Sequence, residues 1–166
     1  MAAIWKIAKA LHSEHMTNEV LYSVLREVAQ VVDAESATIW FYNNKEKRLY
    51  PKYIIGPVAD KLKDTSLGLG EGIAGIVVNN EESVIIRNCQ NTLGLANRFD
   101  KITGYITKSM ICVPIINEEK CLGCIQLINK HNEQLFDEDD LELCENIALF
   151  LGFHIQQSGS FLLNLK

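Results

Sequence analysis

Residues 98–130 hold the side chains that are best suited to chemistry in this chain. A connection rich in hydroxyl and amide groups, with Thr103 and Thr107 near its end, runs into two apolar strands. Hydroxyls can hydrogen-bond a ligand without adding charge. Gln126 lies within the second strand, where a polar side chain needs partners that either a bound molecule or the core backbone supplies. This pattern predicts a pocket for a small molecule and is not typical of a catalytic centre.

Residue types that support catalysis or metal binding are present but scattered. Cys121 and Cys124 form a lone Cys-x-x-Cys, and strand alternation predicts that they point to opposite faces, which would prevent a shared zinc or a redox pair. Cys89 lies in the polar connection, where we expect an exposed thiol. The four histidines are not grouped, the acids of residues 137–140 suit a helix start, and no Gly-x-Ser-x-Gly occurs. We expect no metal and no catalytic residue.

Two predicted β-hairpins must hold the candidate side chains. Residues 36–42 and 48–55 are rich in β-branched and aromatic residues and flank a polar turn. Residues 109–116 and 121–129 repeat this arrangement around a second polar turn. The second hairpin places Gln126 within an antiparallel sheet.

The chain between the hairpins supplies the other walls of the predicted pocket. Its glycine-rich start leads into a predicted helix at 72–79, and a strand follows at 83–87. Residues 88–108 then form a long polar connection. A connection of this length in a small domain is more often a lid or a binding loop than a plain linker.

Helices are predicted at both ends of the chain. Thr17 or Asn18 can cap a helix whose apolar stripe runs to Val32, and the last helix begins near Asp137. A shorter first helix has its apolar residues at Ile4, Ile7, Ala8 and Leu11. The last helix carries two repeats of a heptad, a pattern found at helix–helix seams, at Leu141, Cys144, Ala148, Leu151 and Ile155.

This order of elements predicts an α+β sandwich. A central antiparallel sheet would have the N- and C-terminal helices on one face and a ligand pocket under a lid on the other. We expect a single domain at residues 1–157, followed by residues 158–166 as a C-terminal extension or the start of a connecting helix.

Composition narrows the classes of function. The 166 residues are 48% hydrophobic, which is enough for a core, and their formal charge is −5 with a pI near 5.4. No basic cluster suits nucleic acid or anionic membranes, and no apolar run reaches the roughly 18 to 20 residues of a membrane span. We therefore expect a cytoplasmic protein without nucleic-acid or membrane partners, and its five cysteines should be reduced thiols.

Three short motifs resemble those of a known family. They are Gly-Ile-Ala-Gly at 72–75, Thr-Gly-Tyr-Ile-Thr-Lys-Ser at 103–109 and Gln-Leu-Ile-Asn-Lys at 126–130. With the order of elements, they make the chain resemble a GAF domain, and in particular the regulatory GAF domains of cyclic-nucleotide phosphodiesterases and adenylyl cyclases. The resemblance covers nearly the whole chain and implies a sensor of a small molecule, with a cyclic nucleotide as the expected ligand.

A further motif is similar to the Asn-Lys-Phe-Asp-Glu signature of that subgroup. Asn129, Lys130, Phe136 and Asp140 match its first four positions, whereas Leu141 replaces the final Glu. The resemblance implies an internal ion pair of Lys130 with Asp140 between the last strand and the last helix. Breaking such a pair costs about 3 to 5 kcal/mol when it is buried. The alternative is a solvated pair worth under about 1 kcal/mol.

The resemblance also implies where the ligand would be contacted. The glycine-rich helix start would hold a cyclic phosphate, the hydroxyls of the lid would contact phosphate and ribose, and Gln126 would contact the base. Phe99 or Tyr105 would cover the base. The candidate ligand contacts are Thr38, Ile54, Ile55, Gly72, Ile73, Ala74, Phe99, Asp100, Thr103, Thr107 and Gln126.

Several of these positions have other interpretations. Thr103 can cap a helix in the lid, and Thr38 and Gln126 can be hydrogen-bonded within the core. Ile54 and Ile55 stand where cyclic-GMP binders of the family tend to present an aromatic residue and an acid. The base preference therefore stays open.

The leading hypothesis is a regulatory domain of a larger signalling protein. It would bind cyclic GMP or cyclic AMP as a signal, with no other cofactor, and transmit the signal through its terminal helices, which would also form a homodimer. The domain would not be an enzyme, although an absent output domain could be a phosphodiesterase, cyclase or kinase. Two alternatives stay open: a GAF module without ligand that serves dimerisation and coupling, and a redox or tetrapyrrole sensor that uses Cys89 or a histidine.

Overall fold

The computed structural model of the protein describes residues 5, 7–9, 17–91, 97–118 and 120–157. The described strands are β1 (Ala34–Asn43), β2 (Arg48–Ile55), β3 (Leu67–Gly68), β4 (Val84–Ile86), β5 (Met110–Asn117) and β6 (Lys120–Lys130). The described helices are α1 (Asn18–Val31), α2 (Ala59–Leu62), α3 (Gly72–Asn80), α4 (Asn97–Thr103) and α5 (Glu138–Gln157). Short 3₁₀ helices lie at Cys89–Asn91 and His131–Glu133.

The six strands form one antiparallel sheet in the spatial order β3-β2-β1-β6-β5-β4. Both predicted hairpins are present, as β1–β2 and β5–β6. They meet through β1 and β6, which places Thr38 opposite Gln126. The predicted α+β architecture is confirmed, and β6 lies near the middle of the sheet with a neighbour on each side.

The terminal helices cover one face of this sheet. Thr17 caps α1, since its side-chain oxygen accepts a hydrogen bond of 3.2 Å from Val20 N. Ile7, which precedes α1 and is helical, is buried in the same core as the apolar residues of α1 and α5. The other two large residues of the predicted first stripe, Ile4 and Leu11, lie outside the described residues.

The heptad of α5 packs in the core of the protein itself. Four of its five residues are buried against the sheet, and the fifth, Leu141, packs beside them. A Cβ at Gly152 would lie 2.0 Å from the Ile116 carbonyl oxygen, so this glycine lets α5 lie directly on β5. The interpretation of this heptad as a seam between two helices of a dimer is therefore wrong, because the sheet of the same chain covers it.

The opposite face of the sheet holds a second apolar cluster. Trp40, Leu49 and Leu67 of the sheet belong to it together with Ile73 and Val77 of α3. Strand alternation separates the two faces: along β1, Ile39 and Phe41 belong to the helix side and Trp40 to the side of α3. The sheet thus divides the protein into a helical layer and a layer in which a cavity can form.

A β-bulge in β6 changes where its cysteines point. Ile115 and Ile116 are consecutive in β5, yet their partners in β6 are two residues apart, which leaves Leu122 as an extra residue. A bulge interrupts the alternation of side chains. Cys121 and Cys124 consequently lie in the same cluster, and the prediction that they point to opposite faces is wrong.

The chain between the hairpins is more structured than its sequence indicates. α2 has only four residues and β3 only two, which is too short for either to show a hydrophobic period. The connection of residues 88–108 contains a 3₁₀ helix and α4 instead of a continuous loop. The extension predicted at residues 158–166 lies outside the described residues. Among the described helices, none has an apolar run of the length needed to cross a membrane.

Candidate ligand-binding site

A cavity of about 500 Å³, measured with its opening to solvent, lies on the face of the sheet that carries α3. The sheet forms its floor, and α2, α3 and the lid, here α4 with residues 104–109, form its other walls. The lining is mostly apolar with a few polar side chains and consists of Trp40, Val58, Leu62, Leu67, Ile73, Ala74, Asp100, Thr103, Tyr105, Thr107, Met110, Gln126 and Ile128.

Gln126 provides the polar part of the cavity floor. Its Oε1 accepts a hydrogen bond of 3.0 Å from Trp40 Nε1, and its Nε2 lies 3.6 Å from Met110 Sδ. Because a thioether is a weak acceptor, the amide nitrogen keeps capacity for a stronger partner. Gln126 was expected either to be hydrogen-bonded within the core or to contact a ligand. The structure is compatible with both, since one end of the amide is bound to the core and the other end is available to a ligand.

The first turn of α3 forms one wall of the cavity. Ile73 and Ala74 line it, and a Cβ at Gly75 would lie 2.4 Å from the Gly68 carbonyl oxygen, so this glycine permits the close packing of helix and loop. Glu71 accepts a hydrogen bond of 2.8 Å from Gly68 N instead of capping α3 with its side chain. The first N–H groups of an α-helix have no partner within the helix, so this turn can hold an anionic group.

Polar groups of the lid are bonded to each other above the cavity. The Asp100 carboxylate accepts hydrogen bonds from Thr107 N at 3.0 Å and from the Thr107 hydroxyl at 2.7 Å. The Thr103 hydroxyl accepts one from Tyr105 N at 3.2 Å, and the Thr103 carbonyl accepts one from Lys61 Nζ of α2. These contacts close the lid and hold two hydroxyls and a carboxylate at the cavity wall.

Asn129 anchors the end of the lid to the sheet. Its Oδ1 accepts hydrogen bonds from Lys108 N at 2.7 Å and Ser109 N at 3.2 Å, and its Nδ2 donates one to the Ile106 carbonyl oxygen at 2.8 Å. Its backbone φ is +53°, a region that Asn tolerates better than most residues. One buried side chain thus satisfies three backbone groups of the lid.

Tyr105 extends this anchor into the cavity. It lines the cavity, accepts a hydrogen bond of 3.1 Å from Asn129 Nδ2 and donates one to the Glu35 carboxylate at the start of β1. Burial, and then the hydrogen bond to Glu35, raise the pKa of Tyr105 well above its usual range. The hydroxyl therefore remains a donor at neutral pH.

Lys130 and Asp140 form an ion pair next to this anchor. Lys130 Nζ lies 2.7 Å from Asp140 Oδ2, and both side chains are 12% exposed. Asp140 also accepts a hydrogen bond of 3.0 Å from Asp137 N, and Lys130 Nζ lies 5.9 Å from the centre of the Phe136 ring. The pair therefore joins the end of β6 to the first turn of α5 in a largely buried setting.

The structure brings together most of the predicted contact residues. Six of the eleven line the cavity, and Gly72 begins the helix that forms one wall. Thr38 and Ile54 face each other on the cavity side of the sheet but do not line the cavity, whereas Ile55 packs against the core on the helix side. Phe99 lies in α4, and its side chain is outside what the structure describes. The six lining residues are Ile73, Ala74, Asp100, Thr103, Thr107 and Gln126.

Apart from Ile73 and Ala74, the apolar residues of the cavity lining were not among the predicted contacts. Trp40 and Ile128 were detectable, since each follows a candidate residue by two positions in a strand and so shares its face. Three other lining residues lie in or beside α2 and β3, namely Val58, Leu62 and Leu67. These segments are too short to show a hydrophobic period, so the sequence does not predict that their residues line the cavity.

All five cysteines are free and buried. Cys89 is only 3% exposed, which contradicts the prediction of an exposed thiol. Burial, and then the charge of Asp100, raise the pKa of Cys89 to about 11, and burial raises the pKa of Cys121 to about 11. Buried thiols that stay protonated are unreactive at neutral pH.

The fold and the cavity define a class of protein: an α+β domain in which one antiparallel sheet separates a layer of terminal helices from a cavity under a lid. A family model for the GAF domain matches residues 17–155. The chain belongs to the GAF domain family, as its motifs predicted.

Two cyclic-nucleotide phosphodiesterases are among its relatives. Phosphodiesterase 11A of Takifugu rubripes, a dual 3′,5′-cyclic-AMP and -GMP phosphodiesterase, is 28% identical over 171 aligned residues that cover 97% of this chain and 19% of that protein. A probable 3′,5′-cyclic phosphodiesterase of Caenorhabditis elegans is 25% identical over 148 residues, which cover 84% of this chain and 20% of that protein. The chain spans about a fifth of the length of these relatives.

Solved structures share the fold at lower identity. The GAF domain of a phosphoenolpyruvate-protein phosphotransferase from Coxiella burnetii has a TM-score of 0.81 and 16% identity, with 96% of this chain and 94% of that chain covered. The free methionine-R-sulfoxide reductase of Neisseria meningitidis has a TM-score of 0.78 and 17% identity, with 96% and 93% covered. The fold is thus shared by an enzyme and by a domain of a phosphotransferase.

Proposed function

We propose that this chain is a regulatory domain that senses a cyclic nucleotide, cyclic GMP or cyclic AMP, within a larger signalling protein. The observation that supports it most is the cavity, because a mostly apolar lining meets a few polar groups that are already held in place. Relatives named as phosphodiesterases of cyclic AMP and cyclic GMP supply the class of ligand. The ligand acts as a signal and is not turned over.

The chemistry of the lining fits the parts of a cyclic nucleotide. The first turn of α3 offers backbone N–H groups to the cyclic phosphate, and Thr103 in the lid offers a hydroxyl to phosphate or ribose. The apolar surface of Trp40, Met110 and Ile128 suits the faces of a purine. Among the described residues that line the cavity there is no Lys or Arg, so the phosphate relies on these neutral donors.

The signal would leave the cavity through two adjacent residues. Asn129 is bonded to the lid, and Lys130 is bonded to Asp140 at the start of α5. A ligand that draws the lid inward pulls on Asn129, and the adjoining Lys130 transmits this to the terminal helix. This is a population shift between two positions of the lid, with α5 as the output.

The proposal is tested by isothermal titration of the domain with cyclic GMP and cyclic AMP. We expect saturable binding of at least one nucleotide. Thr103→Ala should weaken it by about tenfold, which corresponds to one lost hydrogen bond, while the domain stays folded. Thr65→Ala is the matched control, because its hydroxyl donates to the Leu62 carbonyl oxygen at 2.7 Å and it does not line the cavity. Absence of binding for both nucleotides would refute the proposal.

A second candidate function is a coupling module without ligand that dimerises through its terminal helices. One observation favours it: Leu149 and Phe153 lie one turn apart on α5 and are 68% and 54% exposed. Such an apolar pair on a terminal helix suits contact with a second copy. Sedimentation separates the two functions, since a pure coupling module dimerises identically with and without nucleotide, and Leu149→Glu should dissociate the dimer in either case.

A further inference from the structure

The orientation of the Gln126 amide is determined by its neighbour Trp40. An indole N–H can only donate a hydrogen bond, so the group that faces it across 3.0 Å must be the amide oxygen. The nitrogen end of the amide then points away from the indole. This assignment follows from the chemistry of Trp40 and does not depend on telling nitrogen from oxygen in the amide.

The cavity floor consequently offers a donor. Gln126 Nε2 carries two hydrogens, and its contact within the described structure is the thioether of Met110 at 3.6 Å. Trp40, Leu67, Met110 and Ile128, the other lining residues from the strands, present no strong acceptor to the cavity. The carboxylate and the hydroxyls of the lining belong to the lid and not to the floor.

We propose that Trp40 is a specificity-determining residue, which holds Gln126 as a donor and so selects a ligand with a carbonyl-type acceptor at its buried end. Among cyclic purine nucleotides, this favours a 6-oxopurine, as in cyclic GMP or cyclic IMP, over a 6-aminopurine, as in cyclic AMP. The inference rests on the proposed function, because it assigns the base that the same cavity accepts.

The physical basis is the opposite hydrogen-bonding character of the two bases at position 6. A 6-oxo group accepts the hydrogen bond from Gln126 Nε2, whereas a 6-amino group at the same place turns a donor toward this donor, so that contact is lost. If the glutamine side chain were unconstrained, rotation of its amide would turn Oε1 toward the 6-amino group and allow a hydrogen bond. Here rotation also places Nε2 against the indole N–H, so Trp40 opposes it.

The test is a comparison of cyclic IMP with cyclic AMP by isothermal titration. These ligands share ribose and phosphate and differ at position 6 and the adjoining ring nitrogen. We expect cyclic IMP to bind about tenfold tighter or more. In Trp40→Phe the amide is free to rotate, and the ratio of the two affinities should fall toward one. Trp5→Phe is the matched control, since Trp5 is 71% exposed and does not line the cavity.

The outcomes separate this inference from the proposed function. Equal affinities, a preference for cyclic AMP, or an unchanged ratio in Trp40→Phe would overturn the role of Trp40 and leave the sensor function standing. Binding of neither cyclic IMP nor cyclic AMP would overturn the role of Trp40, and the sensor function would be overturned as well if cyclic GMP also failed to bind.

A second measurement covers the case in which Trp40→Phe does not fold. Hydrogen exchange of the two indole N–H groups in the unaltered protein should be much slower for Trp40 than for Trp5. Equal exchange would show that the hydrogen bond to Gln126 is absent. Gln126→Glu, which keeps the shape and replaces the donor with an acceptor, should remove the preference for cyclic IMP.

Discussion

Among single residues, Asn129 anchors the lid to the sheet, a role that its place in the signature motif does not indicate. Its amide satisfies three backbone groups of the lid and contacts the Tyr105 hydroxyl, and its backbone has a positive φ. Asp or Ala would each lose part of this set, because only an amide both donates and accepts while tolerating this conformation. The contacts of residue 129 and its backbone conformation therefore explain why this residue is Asn.

We predict that Asn129→Ala lowers the free energy of unfolding by about 2 to 4 kcal/mol, since it leaves the backbone groups of Ile106, Lys108 and Ser109, which are buried or part-buried, without their partner. Urea titration of the variant measures this change. Asn43→Ala is the control, because Asn43 Oδ1 accepts from Lys45 N and Glu46 N in an exposed turn. The control should cost under about 1 kcal/mol, and equal losses in the two variants would contradict the anchoring role.

The buried thiols give a prediction about reactivity. We expect all five cysteines to react slowly with a thiol reagent at pH 8 in the native protein and rapidly after denaturation. The pKa of Cys144 is raised to about 12, mainly by burial, and that of Cys89 to about 11. Fast labelling of Cys89 in the native state would contradict its placement and would revive the redox interpretation.

The same raised pKa values predict the alkaline limit of stability. Each of these thiols holds its proton more tightly in the folded state than in the unfolded state. Their contribution to stability is therefore complete below about pH 9 and is lost as the pH rises through 11 to 12. Thermal unfolding at stepped pH should show a melting temperature that falls above pH 9. A constant melting temperature up to pH 11 would be inconsistent with thiols that are buried and protonated.

At the scale of elements, the ion pair of Lys130 with Asp140 decides how α5 is attached to β6. We predict that Asp140→Asn destabilises the domain by about 3 kcal/mol, since it leaves a largely buried Lys130 charge without its partner. Denaturant unfolding measures the loss. Glu133→Gln is the matched control, because it removes a pair with Lys108 at 3.1 Å in which both side chains are at least half exposed. That control should cost under about 1 kcal/mol, and a similar small loss in Asp140→Asn would show that the attachment is solvated.

Elements with a strong period or turn could be predicted from the sequence. The apolar stripe and Thr17 cap define α1, and the two polar turns define the two hairpins. The strand pattern around Gln126 places it on a buried face, which made it a candidate contact. These predictions depend only on neighbours within a few residues in the chain.

The remaining elements depend on contacts between distant residues. The bulge at Leu122 is a property of how β5 and β6 pair, and α2 and β3 are short segments that exist because the sheet and lid bury Leu62 and Leu67. The hydrogen bond from Trp40 to Gln126 joins different hairpins, so no local pattern indicates it. The heptad of α5 is ambiguous for a similar reason. An apolar stripe on a helix can pack against a sheet of the same chain as well as against a second helix, and the sequence does not distinguish the two.

At the scale of the whole molecule, the sheet connects the two functional layers. The cavity lies on one face, and α1 and α5 lie on the other. Glu35 and Asn129 lie at neighbouring ends of β1 and β6, where Tyr105 contacts both. On the proposed function, movement of the lid therefore acts on the ends of the two central strands, where Lys130 holds α5.

On the proposed function, a cyclic nucleotide binds under the lid and the terminal helix responds. Hydrogen exchange of the backbone, measured with and without saturating cyclic GMP, tests both parts at once. We predict slower exchange in residues 97–109 and in residues 129–141, with little change in α1. Protection confined to surfaces away from the cavity, or no change in either segment at saturating nucleotide, would show that the nucleotide does not act through the lid and α5.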